Sequence, residues 1–324
     1  MGEGLPPDVS ILIVSFNTRD ILRQCLATVR AETGSLRVET IVIDNASRDG
    51  SAEMVAAEFP EVLVIQTGAN LGFAGANNVG IEKARGRYCV LLNSDAFLCQ
   101  DALAASVRLM DANPGTGIGG ARLVGRDGEA QPSARLFPSL LNEFLMISGL
   151  AYQFPNSRFF GRFDRTWADQ SEPAEVDWVP GAFMIVRTEP LQRIHGFDTA
   201  FFFYFEEVDL CRRMKMAGKS VWYWPQIRVI HLGGESSKAE LGTMNTRTTL
   251  WRLRSGLLYH RKHHGLGVVV VTGLELAWHL FRYLKNRMIS GSGRKASESR
   301  ALVHLIRQAW RETRGGRLSP TAPW

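Results

Sequence analysis

The first 95 residues alternate short apolar runs with segments of helical length. Apolar, β-branched runs occupy residues 9–15, 38–43 and 62–65, and a fourth contains the uninterrupted Val90, Leu91 and Leu92. A run without polar interruption is typical of a parallel strand covered on both faces. The segments between the runs, of which residues 19–32 are the clearest, have helical periodicity. Because strands that alternate with helices are joined by crossovers, the pattern predicts an α/β fold with a mostly parallel sheet between helices.

Polar side chains follow each of these predicted strands. Ser15 and Asn17 follow the first strand, Asp44 ends the second, Asn70 follows the third and Asp95 follows the fourth. Open α/β sheets bind ligands outside the carboxyl ends of their strands, so we expect Asp95 to hold a metal or a sugar, and Asp44 to accept a hydrogen bond from a base or a ribose. Turn formation and helix capping account for each residue taken alone. No GxGxxG motif follows the first strand, which argues against a dehydrogenase.

A second group of polar residues follows five consecutive aromatic residues at 201–205. Glu206, Glu207 and Asp209 come directly after that run. A carboxylate packed against aromatic rings is partly desolvated, and its raised pKa suits a general base at neutral pH. Acidic residues in the first turn of a helix also stabilise the helix dipole, which is the alternative interpretation. His231 leads from another apolar segment into a Gly-rich loop, where it is a ligand of a metal or a phosphate, or is structural.

Length and composition limit the class of protein. A chain of 324 residues with 45% hydrophobic and 22% charged residues predicts a soluble globular protein of one large domain with an appendage, or of two domains. Residues 132–172 contain several prolines and aromatics and predict either a mobile loop over the site or a structural insertion. The four cysteines form no CxxC pair, which predicts a reducing compartment and no structural zinc. The first eight residues lack the features of a secretory signal, so we expect a cytoplasmic protein.

Charge is distributed unevenly along the chain. Residues 247–324 contain 15 Lys and Arg against 3 Asp and Glu, whereas residues 1–246 contain 23 against 29. A basic tail predicts attraction to an anionic membrane surface or to nucleic acid, and the lack of a basic stripe interleaved with aromatics argues against nucleic acid. Residues 267–276 form an apolar run between basic segments, typical of an interfacial helix, and the uncharged stretch is too short to span a bilayer. A helical bundle packed on the body, or a dimer contact, is the alternative.

Seven blocks resemble, in order and spacing, the inverting glycosyltransferases of family 2, which have the GT-A fold, and most nearly their bacterial rhamnosyltransferase-like branch. The blocks are SILIVSFN, VIDNASRDGS, NLGFAGANNVGI, LLNSDA, VDWVPGAFMIVR, FFFYFEEVDLCRR and VIHLGGESS. They cover about residues 9–237, and their order is more specific than any single block. The resemblance implies transfer of a sugar from a nucleotide-sugar to an acceptor hydroxyl with inversion, assisted by Mg²⁺ or Mn²⁺.

The resemblance also implies a role for each residue of the site. The general base is Glu207 or its neighbour Glu206, and the metal ligands are Asp95 and His231. The residues implied in donor binding are Ser15, Asn17, Asp44, Asn70, Asn77, Asn93, Ser94 and Asp95, and those implied in acceptor binding are Trp178, Gly181 and Asp209.

Two positions depart from the family pattern. Asn93 replaces the first acid of the family's DxD motif, so we expect the cation to bind mostly through the diphosphate and Asp95. The base position holds Glu in place of the family's Asp, and the extra methylene allows either Glu206 or Glu207 to reach the acceptor.

The resemblance implies a GT-A catalytic domain over residues 1–240, followed by a basic α-helical C-terminal extension over residues 241–324. The nucleotide-sugar half is expected at about residues 9–124 and the acceptor half at about residues 174–237. The implied enzyme moves a sugar, with L-rhamnose from dTDP-rhamnose or a UDP-linked donor as the first choices, to a polyprenyl-diphosphate-linked or cell-surface glycan precursor, on the inner face of the cytoplasmic membrane. The alternatives are a sugar-phosphate nucleotidyltransferase and a non-enzymatic nucleic-acid-binding protein.

Overall fold

A computed structural model of the chain describes residues 5–233, 246–289 and 293–320. The described residues form two compact units. The first contains residues 5–136, 168–199 and 206–233, and the second contains residues 137–167, 200–205, 246–289 and 293–320. The domain boundary predicted at residue 240, and the end of the last sequence block at residues 234–237, lie outside the described residues.

In chain order, the helices and strands are β1 (Val9–Ser15), α1 (Arg19–Glu32), β2 (Val38–Asp44), α2 (Ser51–Glu58), β3 (Leu63–Gln66), α3 (Gly72–Lys83), β4 (Tyr88–Asn93), β5 (Ala96–Leu98), α4 (Ala102–Ala112), β6 (Thr116–Val124), α5 (Leu140–Ile147), α6 (Leu150–Gln153), β7 (Ala174–Glu175), β8 (Phe183–Arg187), α7 (Thr188–Arg193), α8 (Glu206–Met216), β9 (Ser220–His231), α9 (Thr246–His264), α10 (Gly267–Met288) and α11 (Gly293–Glu312).

The first unit is built on one mixed sheet with the strand order β3-β2-β1-β4-β8-β6-β9-β5, and β7 pairs with β9. The strands β3, β2, β1 and β4 are parallel, which confirms the α/β class predicted from their alternation with helices. In contrast, β8 runs antiparallel between β4 and β6. Strand β9 is continuous through Pro225, and its register with β6 shifts there.

Alternate residues of β1 pack on opposite faces of the sheet. Ile11 and Ile13 share a core with Leu22 and Leu26 of α1. Leu12 faces α3, where Gly80 allows the helix backbone to approach so closely that an added Cβ would lie 3.3 Å from the Leu12 side chain. Both faces of the central strands are therefore covered, as the uninterrupted apolar runs predict.

Residues 132–172 contain regular structure that the sequence did not reveal. Helices α5 and α6 lie within this segment, which favours the structural insertion over the mobile loop for residues 140–153. Residues 137–167 belong to the second unit, whose core includes apolar residues of α9, α10 and α11. The apolar run at 267–276 is part of α10, which has 22 residues and is long and apolar enough by composition to cross a membrane, a test that core helices of soluble proteins also pass.

Strand β6 contains glycines because its neighbours are large. An added Cβ at Gly119 would lie only 2.1 Å from the indole ring of Trp224, and one at Gly120 would lie 2.5 Å from Val179. Gly115, just before the strand, has no atom within 4 Å of an added Cβ.

We expect Gly119→Ala to lower the free energy of unfolding by about 1–3 kcal/mol, because the new methyl group overlaps a buried tryptophan that cannot move away without opening the core. Gly115→Ala is the matched control and should change it by less than about 0.5 kcal/mol. Urea denaturation of both variants measures the difference. Equal stability of Gly119→Ala and the unsubstituted chain would contradict the packing described for β6.

Candidate active site

The register of three parallel strands places polar residues at one edge of the sheet. Ser15 at the end of β1 is opposite Asp44 at the end of β2, and Val14 is opposite Asn93 at the end of β4. Ser15 is fully buried, and Asp44 is 4% exposed. The strand ends that the sequence marked as polar therefore meet at the edge where open α/β sheets bind ligands.

A chain of hydroxyl groups connects the ends of β1 and β4. Ser15 Oγ lies 3.0 Å from Thr18 Oγ1, which donates to Ser94 Oγ at 3.1 Å. Thr18 occupies the N-cap position of α1, yet its side chain makes no capping hydrogen bond. Its hydroxyl instead positions Ser94, the residue next to Asp95.

Asparagine side chains shape the loops around Asp44. Asn17 has left-handed backbone angles (φ 54°), and its side-chain oxygen accepts from the Arg48 N–H at 2.8 Å. Asn70 Oδ1 accepts from Asn45 Nδ2 at 2.9 Å. These bonds tie the loops after β1, β2 and β3 to one another at this edge of the sheet.

Asp44 has one oxygen engaged and one unpartnered. Its Oδ2 accepts from the Ser47 N–H at 3.3 Å, which is a turn contact of the kind that the sequence allowed. Its Oδ1 is buried and has no hydrogen-bond partner among the described residues. A buried carboxylate oxygen without a donor is unfavourable, so Oδ1 is available to a ligand N–H or O–H.

Asp95 and His231 are brought together by the antiparallel pairing of β5 with β9. Ala96 is opposite His231 in the register, and Asp95 Oδ1 lies 3.5 Å from His231 Nε2. Gln131 fixes the ring, because its Nε2 donates to the His231 carbonyl at 2.8 Å and its Oε1 lies 2.9 Å from His231 Nδ1. Since Oε1 can only accept, Nδ1 carries a proton, and Nε2 is the ring nitrogen that faces Asp95.

This arrangement fits a divalent cation with few protein ligands. His231 Nε2 and Asn93 Oδ1 are buried without a hydrogen-bond partner among the described residues. A lone pair that faces a carboxylate at 3.5 Å is favourable when a cation lies between them. No group of three or more His, Cys, Asp or Glu side chains in the described parts of the chain could hold a metal by itself. The residues therefore suit Mg²⁺ or Mn²⁺ that takes its remaining ligands from phosphate and water.

Gly181 brings the helix α8 to the same edge of the sheet. The Asn93 N–H donates to the Ala182 carbonyl at 3.1 Å, so the start of β8 lies beside the end of β4. An added Cβ at Gly181 would lie 3.5 Å from Glu207 Cβ and 3.7 Å from the ring of Phe73. Glu207 therefore lies next to the Pro-Gly turn and to α3, on the side of the sheet edge that also carries Asn93.

Glu206 and Glu207 begin α8 as a coupled pair of carboxyl groups. Burial raises the pKa of both, and the negative charge of Glu207 raises the pKa of Glu206 further. One oxygen of each, Oε2, is buried without a hydrogen-bond partner among the described residues. Arg135 attracts the ionised form of Glu207 and opposes the effect of burial there. Two adjacent carboxyl groups of raised pKa hold a proton at higher pH than an exposed Glu does.

The backbone enters α8 through two strained residues. Tyr204 (φ 69°) and Phe205 (φ 68°) have left-handed angles, which cost non-glycine residues about 1–2 kcal/mol each. Within the second unit the preceding aromatic side chains pack on α9, with the ring of Phe202 stacked on Trp251 at 4.6 Å. Strain of this kind is concentrated at functional sites.

Three predicted site residues have structural partners. Asp209 is fully buried and forms an ion pair of 2.7 Å with Arg213. Trp178 is buried, and its indole N–H donates to the Leu136 carbonyl at 2.8 Å. Asn77 lies inside α3, where its side-chain N–H donates to the Phe73 carbonyl at 3.0 Å. The roles of these three side chains in binding donor or acceptor stay predictions.

Sequence reasoning missed four residues that position the site. They are Phe73, Thr18, Gln131 and Arg135. Gln131 follows the turn at 125–128 and returns to pair with Leu123, so only the hairpin geometry brings it to His231. Arg135 is adjacent to Trp178, with its guanidinium 4.8 Å from the ring centroid.

The sequence is similar to a known protein family and to individual glycosyltransferases. Residues 10–175, just over half of the chain, match Glycosyl transferase family 2. An N-acetylglucosaminyl-diphospho-decaprenol L-rhamnosyltransferase of Mycobacterium tuberculosis is 28% identical over 234 residues, which are 68% of this chain and 75% of that protein. The rhamnosyltransferase WbbL of Escherichia coli is 25% identical over 265 residues, which are 78% of this chain and 92% of WbbL.

The fold is shared with solved structures. The mannosyltransferase PcManGT from Pyrobaculum calidifontis, in complex with GDP-Man and Mn²⁺, superposes with a TM-score of 0.59 at 15% identity and covers 94% of this chain and 87% of that one. The GT-A fold expected from the seven sequence blocks is confirmed. The chain therefore belongs to glycosyltransferase family 2.

Proposed function

We propose that this glycosyltransferase moves L-rhamnose from dTDP-rhamnose to a hydroxyl group of a polyprenyl-diphosphate-linked glycan precursor, with inversion at the sugar carbon. The observation that carries the proposal is the set of buried, unpartnered polar atoms on Asp44, His231 and Glu207, at strand ends and at the start of α8. The similarity to two rhamnosyltransferases, one of which is named for a diphospho-decaprenol acceptor, supports the choice of sugar and acceptor. We assign catalysis to residues 1–240, on the cytoplasmic side of the membrane.

Asp44 is proposed to recognise the nucleoside of the donor. Its unpartnered Oδ1 accepts the N–H of the base or a ribose hydroxyl, while Oδ2 stays on the Ser47 N–H. Ser15 and Ser94 flank the same edge and are buried, which excludes water from the pocket floor. The amide of Asn93 and the carboxylate of Asp95 are proposed to face the donor diphosphate.

Asp95 and His231, with the side-chain oxygen of Asn93, would hold Mg²⁺ or Mn²⁺. The ion, when bound, neutralises charge on the departing diphosphate. The contribution of the chain is to present the unprotonated Nε2 of His231, whose tautomer is set by Gln131 at Nδ1.

Glu207 is proposed as the general base. It accepts the proton of the acceptor hydroxyl as that oxygen forms a bond to the anomeric carbon, and the bond from this carbon to the diphosphate oxygen breaks on the opposite face. Gly181 leaves open the space next to Glu207 Cβ, which gives an acceptor hydroxyl access to the carboxylate. Glu206 is more deeply buried, at 5% exposed, and its pKa is raised first by that burial and then by the charge of Glu207.

Donor binding can be tested by thermal denaturation of the full chain. We expect dTDP-rhamnose with Mg²⁺ or Mn²⁺ to raise the melting temperature, since a ligand at 100 times its Kd stabilises the folded state by about 2.7 kcal/mol. Asp95→Asn should remove the metal-dependent part of the shift. Asp20→Asn, an exposed carboxylate on α1, is the matched control and should keep the full shift. A metal-dependent shift that survives in Asp95→Asn would refute the metal site, and a shift with UDP- or GDP-sugars alone would refute the donor.

The identity of the base can be tested by rates of transfer. Glu207→Gln should reduce kcat by about 10²–10⁴-fold, because the amide cannot take the proton. Glu206→Gln should retain activity and leave the acidic limb of the pH–rate profile in place, since the charge of Glu207 raises the pKa of Glu206 and Glu206 does not raise that of Glu207. The opposite pattern, with activity lost in Glu206→Gln and kept in Glu207→Gln, would assign the base to Glu206.

The raised pKa of Glu206 also has a consequence for stability. A carboxyl group whose pKa is higher in the folded than in the unfolded state destabilises the fold increasingly as the pH rises from the unfolded-state pKa to the folded-state pKa. Glu206→Gln should therefore raise the melting temperature at pH 8, and the gain should shrink as the pH falls towards the ordinary pKa of Glu. The exposed Glu53→Gln is the control. A gain that is independent of pH would show that charge burial is not its cause.

A further inference from the structure

The second unit contains a groove between α10 and α11 with a volume of about 620 Å³. Its walls are largely apolar. From α10 they include Val269, Gly273 and Leu276, which recur at helical spacing on one stripe, and from α11 they include Ile306 and Trp310. The volume is within the range of small-molecule sites, about 300–1,000 Å³. The buried part of an occupant would therefore be hydrocarbon.

Basic side chains form one rim of this groove. His304, Arg307 and Arg311 recur at i, i+3 and i+7 along α11, so they lie on one face, and no acidic residue lines the groove. Within the described parts of the chain, neither Arg307 nor Arg311 forms an ion pair or a side-chain hydrogen bond. In contrast, Arg254 of α9 is paired with Glu312 at 2.6 Å. Two guanidinium groups beside an apolar groove suit a ligand with a phosphate head and a hydrocarbon chain.

Apolar exposure continues along α10 beyond the groove. Leu280, Phe281 and Leu284 are each about half exposed, and Met288 is 87% exposed. Basic residues alternate with them at positions 282, 285 and 287. Contiguous exposed apolar side chains mark an interaction surface, and their combination with Lys and Arg is typical of a helix that lies in the headgroup region of an anionic bilayer.

The packing of α10 favours a helix that lies on a bilayer over one that crosses it. Val268 and Leu276 pack with apolar residues of α9 and α11 in one core, so a span by α10 alone would break that core. The helix also carries Glu275 and Arg282, and a charge near the centre of a span costs about 2.5–3.5 kcal/mol. When only the exposed face of α10 meets the lipid, the core stays intact and no charged side chain has to enter the centre of the bilayer.

We propose that the α10–α11 groove binds an anionic phospholipid at a bilayer surface. An acyl chain lies against Val269, Leu276 and Trp310, and the phosphate is held by Arg307 and Arg311. The exposed apolar side chains of α10 enter the headgroup region beside it. This site is independent of the transfer reaction, so its test does not rely on activity.

The test is co-sedimentation of the full chain with vesicles of equimolar phosphatidylglycerol and phosphatidylcholine, and with vesicles of phosphatidylcholine alone. We expect binding to the first and little to the second. Arg307→Gln with Arg311→Gln should lower the partition coefficient roughly 25-fold, since each basic residue near an anionic surface contributes about a factor of five. Arg294→Gln with Lys295→Gln, which removes the same charge from the first turn of α11, should have a much smaller effect.

A second variant fills the groove without changing charge. No atom lies within 4 Å of an added Cβ at Gly273, so Gly273→Gln places a side chain in the groove while the helix is retained. It should weaken binding, and Gly293→Gln, an equally open glycine outside the groove, should not. Circular dichroism verifies that every variant is folded.

Three outcomes would overturn the proposal. Equal loss of binding in the two double variants would show unspecific charge attraction. Unchanged binding of Gly273→Gln would show that the groove is not occupied. Release of the chain from vesicles by soluble geranylgeranyl diphosphate, abolished in Gly273→Gln, would assign the groove to a lipid-linked diphosphate in place of a bilayer phospholipid.

Discussion

The parallel register of β1 with β2 and β4 is the constraint on which the candidate site depends. It places Ser15 opposite Asp44, and Val14 opposite Asn93. Because side chains alternate along a strand, a slip of one residue would turn Asp44 into the core and an apolar neighbour out to the ligand edge. The apolar residues of β1 and β4 that prevent such a slip are almost completely buried. The hydrophobic core thus determines the position of the donor site as well as the stability of the sheet.

The site carries polar atoms that the fold leaves unsatisfied. Asp44 Oδ1, His231 Nε2 and Glu207 Oε2 are each buried without a partner among the described residues. Each such atom destabilises a folded protein by about 1–3 kcal/mol relative to a satisfied one. Their concentration at one edge is the pattern expected where stability is given up for ligand binding. The well-packed strands below them offset this cost.

Much of the fold can be predicted from local sequence patterns, whereas the residues that contact and position the site side chains cannot. The runs around Val90 predict buried parallel strands, and the rule that ligands bind at strand ends is sufficient to select Asp44 and Asp95. The antiparallel insertion of β8 could not be predicted, because its hydrogen bonds join segments about 90 residues apart and leave no periodic signal. The same is true of Gln131 and Arg135, whose roles arise from tertiary contacts alone.

The position of β8 also has a consequence during synthesis. One edge of β4 pairs with β1, but its other edge is completed by β8, which begins at Phe183. At a ribosomal rate of 5–20 residues per second, the intervening residues take on the order of ten seconds to emerge. During that time the most apolar strand of the nascent chain has an unpaired edge, which is a template for pairing with another chain. The interval between the emergence of β4 and of β8 is therefore a period in which the nascent chain is exposed to aggregation.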